Sequence, residues 1–349
     1  MAKVLMKGNQ ALAEACLRAG CRFFSGYPIT PQTEILEYLC WRMDEVGGVC
    51  VQTESELAGV NMLFAAGARA LTTTAGPGFS LKQEGISYLC SSDLPAVIVD
   101  VQRIGCGLGD IFMGQGDYWQ LTRGGGHGDY HTLVLAPASV QESVELASEA
   151  FDLAEKYRHP VIMATDATIG QMMEPVELPE MREHDMDKFD WAVRPRCEGE
   201  EQRAIWNRYW DWEDGGRKYP EYVLNKYTEM EENEQRWENF YTDDADIVIV
   251  AYGTSSRIAK SAVLRARKEG IKVGLLRPIT LWPYPKNAFD QLPHVKAFLD
   301  AEMNILGQMK DDIILADKNR RPVEFFGSYW DPINEFELAA KAREMAERY

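Results

Sequence analysis

Arg22-Phe23-Phe24-Ser25, followed at once by Gly26-Tyr27-Pro28-Ile29-Thr30-Pro31, joins an apolar strand pattern to a turn and a helix start. Thr30 with Pro31 reads as the cap and first-turn pair of a helix whose apolar positions are Ile35, Leu36, Leu39, Met43 and Val46. Upstream, Asn9 reads as the cap of a helix carrying Leu12, Ala15, Cys16 and Ala19, closed by Gly20. Downstream the unit repeats. Val49 to Thr53 reads as a strand feeding a helix at Glu54-Ser55-Glu56-Leu57-Ala58-Gly59. Ala68 to Thr74 is the next strand, before the Gly76-Pro77-Gly78 turn and a helix over Ser80 to Leu89. Pro95 to Val101 and Val161 to Thr165 read as buried strands, with a capping-box spacing at Ser139 and Glu142 between them. Strands and helices alternating at this spacing predict an α/β fold, a parallel sheet covered by helices.

Three segments follow from the same pattern. Residues 1–178 form the first α/β unit. Over 179–243 the alternation stops, and charged residues mix with Trp191, Trp206, Trp210, Trp212 and Trp237. Such aromatic content argues against a flexible linker, because disordered segments are poor in aromatics. The segment is either an arm that packs on another subunit or a connector covering both units. Residues 244–349 form a second α/β unit, with strands expected at Ile247 to Tyr252, Val273 to Leu276, Val295 to Leu299 and Ile313 to Ala316. Asn334 with Glu337 predicts the cap of a terminal helix.

Composition narrows the function classes. No apolar run approaches the roughly 20 residues a bilayer span requires, so no membrane helix is expected. The N-terminus lacks a long apolar stretch, which predicts no signal peptide and a cytoplasmic location. A net charge of -17 opposes a nucleic-acid surface. The seven cysteines form no C-x-x-C pair, so neither an iron-sulfur cluster nor a structural zinc is expected in this chain. Gly105-Cys106-Gly107-Leu108-Gly109 approaches a dinucleotide fingerprint, but Asp110 stands where the last glycine is needed.

Loops after parallel strands lie at the edge where ligands bind, which singles out Gly26 to Pro31, Glu54 to Gly59 and Gln102 to Gly109. Read alone, Glu56 is a first-turn carboxylate that stabilises a helix N-terminus. Thr30 is a cap, and Arg103 offers a planar, permanently charged fork for a carboxylate or a loop ion pair. His127, between Gly126 and Gly128, is either a proton carrier or part of a tight turn.

Taken in order, Gly26-Tyr27-Pro28-Ile29-Thr30-Pro31, Glu54-Ser55-Glu56-Leu57-Ala58-Gly59, Thr74-Ala75-Gly76-Pro77-Gly78-Phe79-Ser80, Val99-Asp100-Val101-Gln102-Arg103, and Glu302-Met303-Asn304 with Gly307-Gln308-Met309 resemble the alpha-type subunit of 2-oxoacid:ferredoxin oxidoreductases. Lys82 to Leu89, Gly124 to His131 and Gln171 to Pro175 resemble the branched-chain (3-methyl-2-oxobutanoate) type. The resemblance covers residues 1–178 and 244–310. It implies a thiamine-diphosphate pyrimidine-binding domain followed by a transketolase C-terminal-like α/β domain.

The activity implied is oxidative decarboxylation of a 2-oxoacid to an acyl-CoA, with coenzyme A as acceptor and electrons passed through iron-sulfur clusters to ferredoxin. The resemblance makes Glu56 the carboxylate that hydrogen-bonds the thiamine pyrimidine, beside Tyr27 and Pro28, and gives Thr30 and Arg103 the substrate carboxylate. It also implies partners: a subunit holding Mg²⁺ and the pyrophosphate, and an iron-sulfur subunit. Consistent with that split, no Gly-Asp-Gly segment is present. A thiamine-dependent non-oxidative decarboxylase subunit and a non-catalytic assembly subunit are the other functions such a chain could serve. The sequence departs from the branched-chain pattern at Gly109 to Asp117, and Gly327-Ser328-Tyr329-Trp330 lacks an expected glycine-rich stretch.

Overall fold

Alternating strands and helices occupy both α/β segments of the computed structural model, which describes residues 3–66, 68–183 and 216–349 together with 185, 189, 192–193, 205 and 207–210. Trp191, Trp206 and Trp212 of the 179–243 segment lie outside the described residues. The first half carries β1 (Val4–Lys7), α1 (Gly8–Arg18), β2 (Cys21–Gly26), α2 (Thr33–Arg42), β3 (Val49–Gln52), α3 (Glu56–Met62), β4 (Arg69–Thr74) and α4 (Pro77–Ser91). It continues through β5 (Ala96–Gln102), α5 (Tyr118–Thr122), β6 (Leu133–Leu135), α6 (Val140–Tyr157), β7 (Pro160–Asp166), α7 (Ala167–Gln171) and β8 (Met173–Val176). Then come α8 (Tyr219–Asn233), β9 (Trp237–Phe240), β10 (Ile247–Val250), α9 (Gly253–Lys268), β11 (Val273–Pro278) and β12 (Thr280–Trp282). The chain ends with α10 (Lys286–Asp290), β13 (Ala297–Glu302), α11 (Lys310–Ala316), β14 (Val323–Gly327) and α12 (Glu335–Arg348).

A seven-stranded sheet runs β12-β6-β7-β5-β4-β2-β3, parallel except where β12 meets β6. Every residue of β4, β5 and β7 is buried, as expected of central parallel strands covered on both faces. A second sheet of five strands runs β14-β13-β10-β11-β9, with only β9 antiparallel. Its core packs Ile247, Ile249 and Leu299 with Val263 of α9 and Leu338 and Ala342 of α12. The chain crosses between the sheets, because β12 belongs to the first although it follows β11 of the second. Among the described residues no helix is long and apolar enough to cross a membrane.

Three local readings are corrected. Asn9 is not a cap: it sits inside α1, fully buried, and its amide donates to Pro31 O (2.8 Å) and Glu34 Oε2 (3.1 Å). Thr30 is not a cap either. Gln32, fully buried, donates to Tyr27 O (2.9 Å) and its N–H to Ile29 O (3.0 Å), so residues 29–32 make a separate turn and α2 begins only at Thr33. Ile313 to Ala316 is the end of α11 rather than a strand, since Asp311 and Asp312 favour a helix N-terminus and a four-residue apolar run carries no decisive period.

Candidate active site

β2, β3, β4 and β5 end at one edge of the first sheet, and the loops beyond them carry Tyr27 to Thr30, Glu56, the Gly76–Gly78 turn and Arg103. Ser55, in extended backbone, caps α3 by accepting the N–H of Ala58 (3.1 Å), which makes Glu56 the first helical residue. Glu56 turns inward and is only 3% exposed. Its Oε1 accepts the hydroxyl of Thr74 at 2.9 Å. Its Oε2 lies 2.7 Å from Lys82 Nζ in a buried ion pair and has no other partner. Gly78 keeps the carboxylate's place open, because a Cβ there would stand 2.3 Å from Glu56 Oε1 and 2.2 Å from Thr74 Oγ1.

Arg103 lies on the other side of the same turn, its Cγ 3.6 Å from where a Cβ on Gly76 would be. The guanidinium is 5% exposed, and its two ends donate to Thr30 O (2.6 Å) and Leu108 O (2.7 Å), while Nε has no partner. Arg103 therefore braces the Tyr27–Thr30 loop against the Gly105–Gly109 loop. The structure thus joins Arg103 to the backbone of Thr30, whose side chain is exposed and lines a cavity of about 510 Å³ with Pro31, Ile111, Phe112, Met113 and Gln171. Tyr27 is 40% exposed and Pro28 half-buried at the same edge. His127 is exposed on its glycine-rich loop.

Sequence reading missed a second carboxyl group cluster. Asp100 is fully buried at the end of β5 with neither oxygen hydrogen-bonded, and burial and Asp117 raise it well above the ordinary carboxylate range. Burial pushes Asp117 up to about 6, although Gln120 donates to its Oδ1 at 2.6 Å. Asp100 was visible in the sequence only as a charged residue inside an apolar strand.

Glu302-Met303-Asn304 positions the loop that follows Arg103. Gln115, fully buried, accepts from Met303 N–H (3.0 Å) and Ser255 Oγ (2.6 Å) and donates to Tyr252 O (3.0 Å), while Asn304 donates to Gln115 O (3.0 Å). Glu302 in turn accepts Met309 N–H (2.8 Å) and the Asn304 amide (2.9 Å). Burial raises Glu302 from 4.5 to about 7, and beside it Asp300 is raised with both oxygens unbonded. A raised acid means the folded state binds more protons than the unfolded one, so this pair's contribution to stability falls as pH rises from 4.5 through about 7. Asp300→Asn is expected to raise Tm by a few degrees at about pH 8 and little at about pH 5, read by calorimetry across that range.

The residues present fit a thiamine pyrimidine: a buried carboxylate at a sheet edge, one oxygen held by Thr74 and the other facing only Lys82, in a space that Gly78 leaves clear. Among the described residues no group of three or more His, Cys, Asp or Glu is placed to hold a metal ion. A helix-covered parallel sheet whose strands end at this edge, joined to a second α/β sheet, is an architecture that takes ligands at the strand ends. Residues 14–239 match the thiamine-diphosphate-binding family of pyruvate flavodoxin/ferredoxin oxidoreductases, and 245–329 match pyruvate:ferredoxin oxidoreductase core domain II. The chain is 47% identical to the ketoisovalerate oxidoreductase subunit VorB of Methanothermobacter thermautotrophicus, covering 99% of each. It is 36% identical to the 2-oxoglutarate synthase subunit KorA of Methanocaldococcus jannaschii, over 90% of this chain and 94% of that one. A solved 2-oxoglutarate:ferredoxin oxidoreductase from Magnetococcus marinus, with 2-oxoglutarate, coenzyme A and succinyl-CoA bound, shares the fold at a TM-score of 0.84 and 24% identity. This chain, 99% covered, spans 65% of that one. The chain belongs to the 2-oxoacid:ferredoxin oxidoreductase family, as an alpha-type subunit.

Proposed function

We propose that this chain supplies the pyrimidine side of the thiamine-diphosphate site in a cytoplasmic complex that converts a branched-chain 2-oxoacid and coenzyme A to an acyl-CoA. Carbon dioxide leaves, and the two electrons released pass through iron-sulfur clusters to ferredoxin. The observation that carries the site is the buried Glu56 carboxylate at the sheet edge, whose Oε2 has no partner besides Lys82. When bound, thiamine diphosphate supplies a carbon nucleophile for the 2-oxo group.

Glu56 holds the proton exchanged with the pyrimidine, and Thr74 fixes its carboxylate from Oε1. Tyr27 and Pro28 flank the ring. Arg103 and the Thr30 hydroxyl receive the substrate carboxylate, Arg103 through the N–H groups its two carbonyl contacts leave over. The apolar wall of Ile111, Phe112 and Met113 takes an aliphatic side chain. Partner subunits hold Mg²⁺, the pyrophosphate and the iron-sulfur clusters. We keep 1–178 and 244–349 as the two functional α/β domains, with 179–243 joining them.

Similarity to a ketoisovalerate oxidoreductase subunit over the whole length of both chains favours the branched-chain substrate. Comparing kcat/KM of the native complex for 3-methyl-2-oxobutanoate, pyruvate and 2-oxoglutarate tests it. A preference for the branched acid of roughly tenfold or more is expected, the scale of one or two methyl groups in an apolar pocket. Preference for 2-oxoglutarate contradicts the reading.

A further inference from the structure

We propose that Lys82 is a positioning residue that fixes the Glu56 carboxylate in one orientation for the thiamine pyrimidine and answers its charge; this rests on the assignment of Glu56 above. Lys82 lies on α4, on the face formed by Phe79, Gln83, Ile86 and Cys90, and is fully buried. Its ammonium has three protons and three oxygens around it: Thr72 Oγ1 at 3.0 Å, Glu56 O at 3.2 Å and Glu56 Oε2 at 2.7 Å. The lysine thus grips both the backbone and the carboxylate of one residue. Thr74 holds the other carboxylate oxygen from β4, so the side chain is fixed at both ends of its carboxyl group.

A buried lysine with no solvent contact contributes nothing to solubility, and its desolvation is unfavourable unless it answers a buried anion. Burial indeed draws Lys82 below its ordinary range, and Glu56 opposes that shift. The anion it answers is the carboxylate in direct contact with it, Glu56 Oε2 at 2.7 Å. The charged group that bears on the pair from β5 is Asp100, with Asp117 beside α5 and Arg103 after β5 beyond it; β4 offers the hydroxyls of Thr72 and Thr74. Glu56 is one of the charges that raise Asp100, and Lys82 is the cation in contact with Glu56.

Two readouts test this. In the assembled complex, exchange of the C2 proton of bound thiamine diphosphate into deuterated buffer is followed by NMR across pH for wild type, Lys82→Met and Glu56→Gln. In Lys82→Met the midpoint of the profile is expected to move to higher pH by about one unit or more, with cofactor affinity little changed. In the cofactor-free chain, thermal unfolding is compared for both single variants and for the double variant Lys82→Met/Glu56→Gln. The double variant is expected to be more stable than Lys82→Met, because it removes the stranded anion as well. If Lys82→Met does not fold, Lys82→Gln, which keeps a donor for Thr72, is read the same way. An unmoved profile beside a Glu56→Gln variant that has lost exchange overturns the role of Lys82 and leaves Glu56 standing. Normal exchange in Glu56→Gln overturns both. A double variant less stable than Lys82→Met also overturns the pairing.

Discussion

Glu56→Gln is expected to lower turnover of the assembled complex by roughly 10²- to 10⁴-fold, the range associated with loss of a positioned acid-base group. The amide matches the carboxylate in size, so the Thr74 contact at 2.9 Å and the space kept by Gly78 should survive. What the amide lacks is a proton acceptor of comparable basicity. Substrate KM and assembly are expected to change little. The variant also leaves Lys82 as a buried cation without its partner, so Tm is measured alongside; a lower Tm with normal turnover would contradict the assignment. Steady-state assays with ferredoxin as acceptor supply the kinetics.

Arg103→Ala is expected to lower kcat/KM for the 2-oxoacid by roughly 10²- to 10³-fold, the cost of truncating a buried, hydrogen-bonded charge. Two losses combine: a cation for the substrate carboxylate, and the brace between Thr30 O and Leu108 O. Arg103→Lys separates them. An ammonium restores charge but cannot span two carbonyls in a fixed plane, so it should recover only part of the loss. Substrate KM that stays at the wild-type value while Tm falls would assign Arg103 to the brace alone.

The succession of strands and helices near the site was legible because each strand-to-helix unit carries its own signal. Asn334 caps α12 and Ser139 caps α6 as their spacing predicts, and Ser55 caps α3 at the helix start expected there. Signals that depend on distant partners misled. Asn9 looks like a cap until the buried Pro31 carbonyl is found to need its amide, and Thr30-Pro31 looks like a helix start until Gln32 is seen folding back on Tyr27. Of the site, Glu56 and Arg103 stood in recognisable motifs. Lys82 opened a segment that resembles the branched-chain type but was given no role, although a lysine on the face shared by Phe79, Gln83 and Ile86 announces that a buried anion must meet it. Gln115 carried no local signal, since its partners Tyr252, Ser255 and Met303 lie more than a hundred residues away.

The proposal that the cofactor site is completed by another subunit is tested most directly by titrating the purified chain with Mg²⁺ and thiamine diphosphate in a calorimeter, first alone and then with its partner subunits. Octahedral Mg²⁺ needs carboxylate and amide oxygens that no Gly-Asp-Gly segment supplies here. The expected result is no tight binding by the chain alone, and tight binding accompanied by 2-oxoacid-dependent ferredoxin reduction once the partners are present. Micromolar binding and decarboxylation by the isolated chain would contradict it.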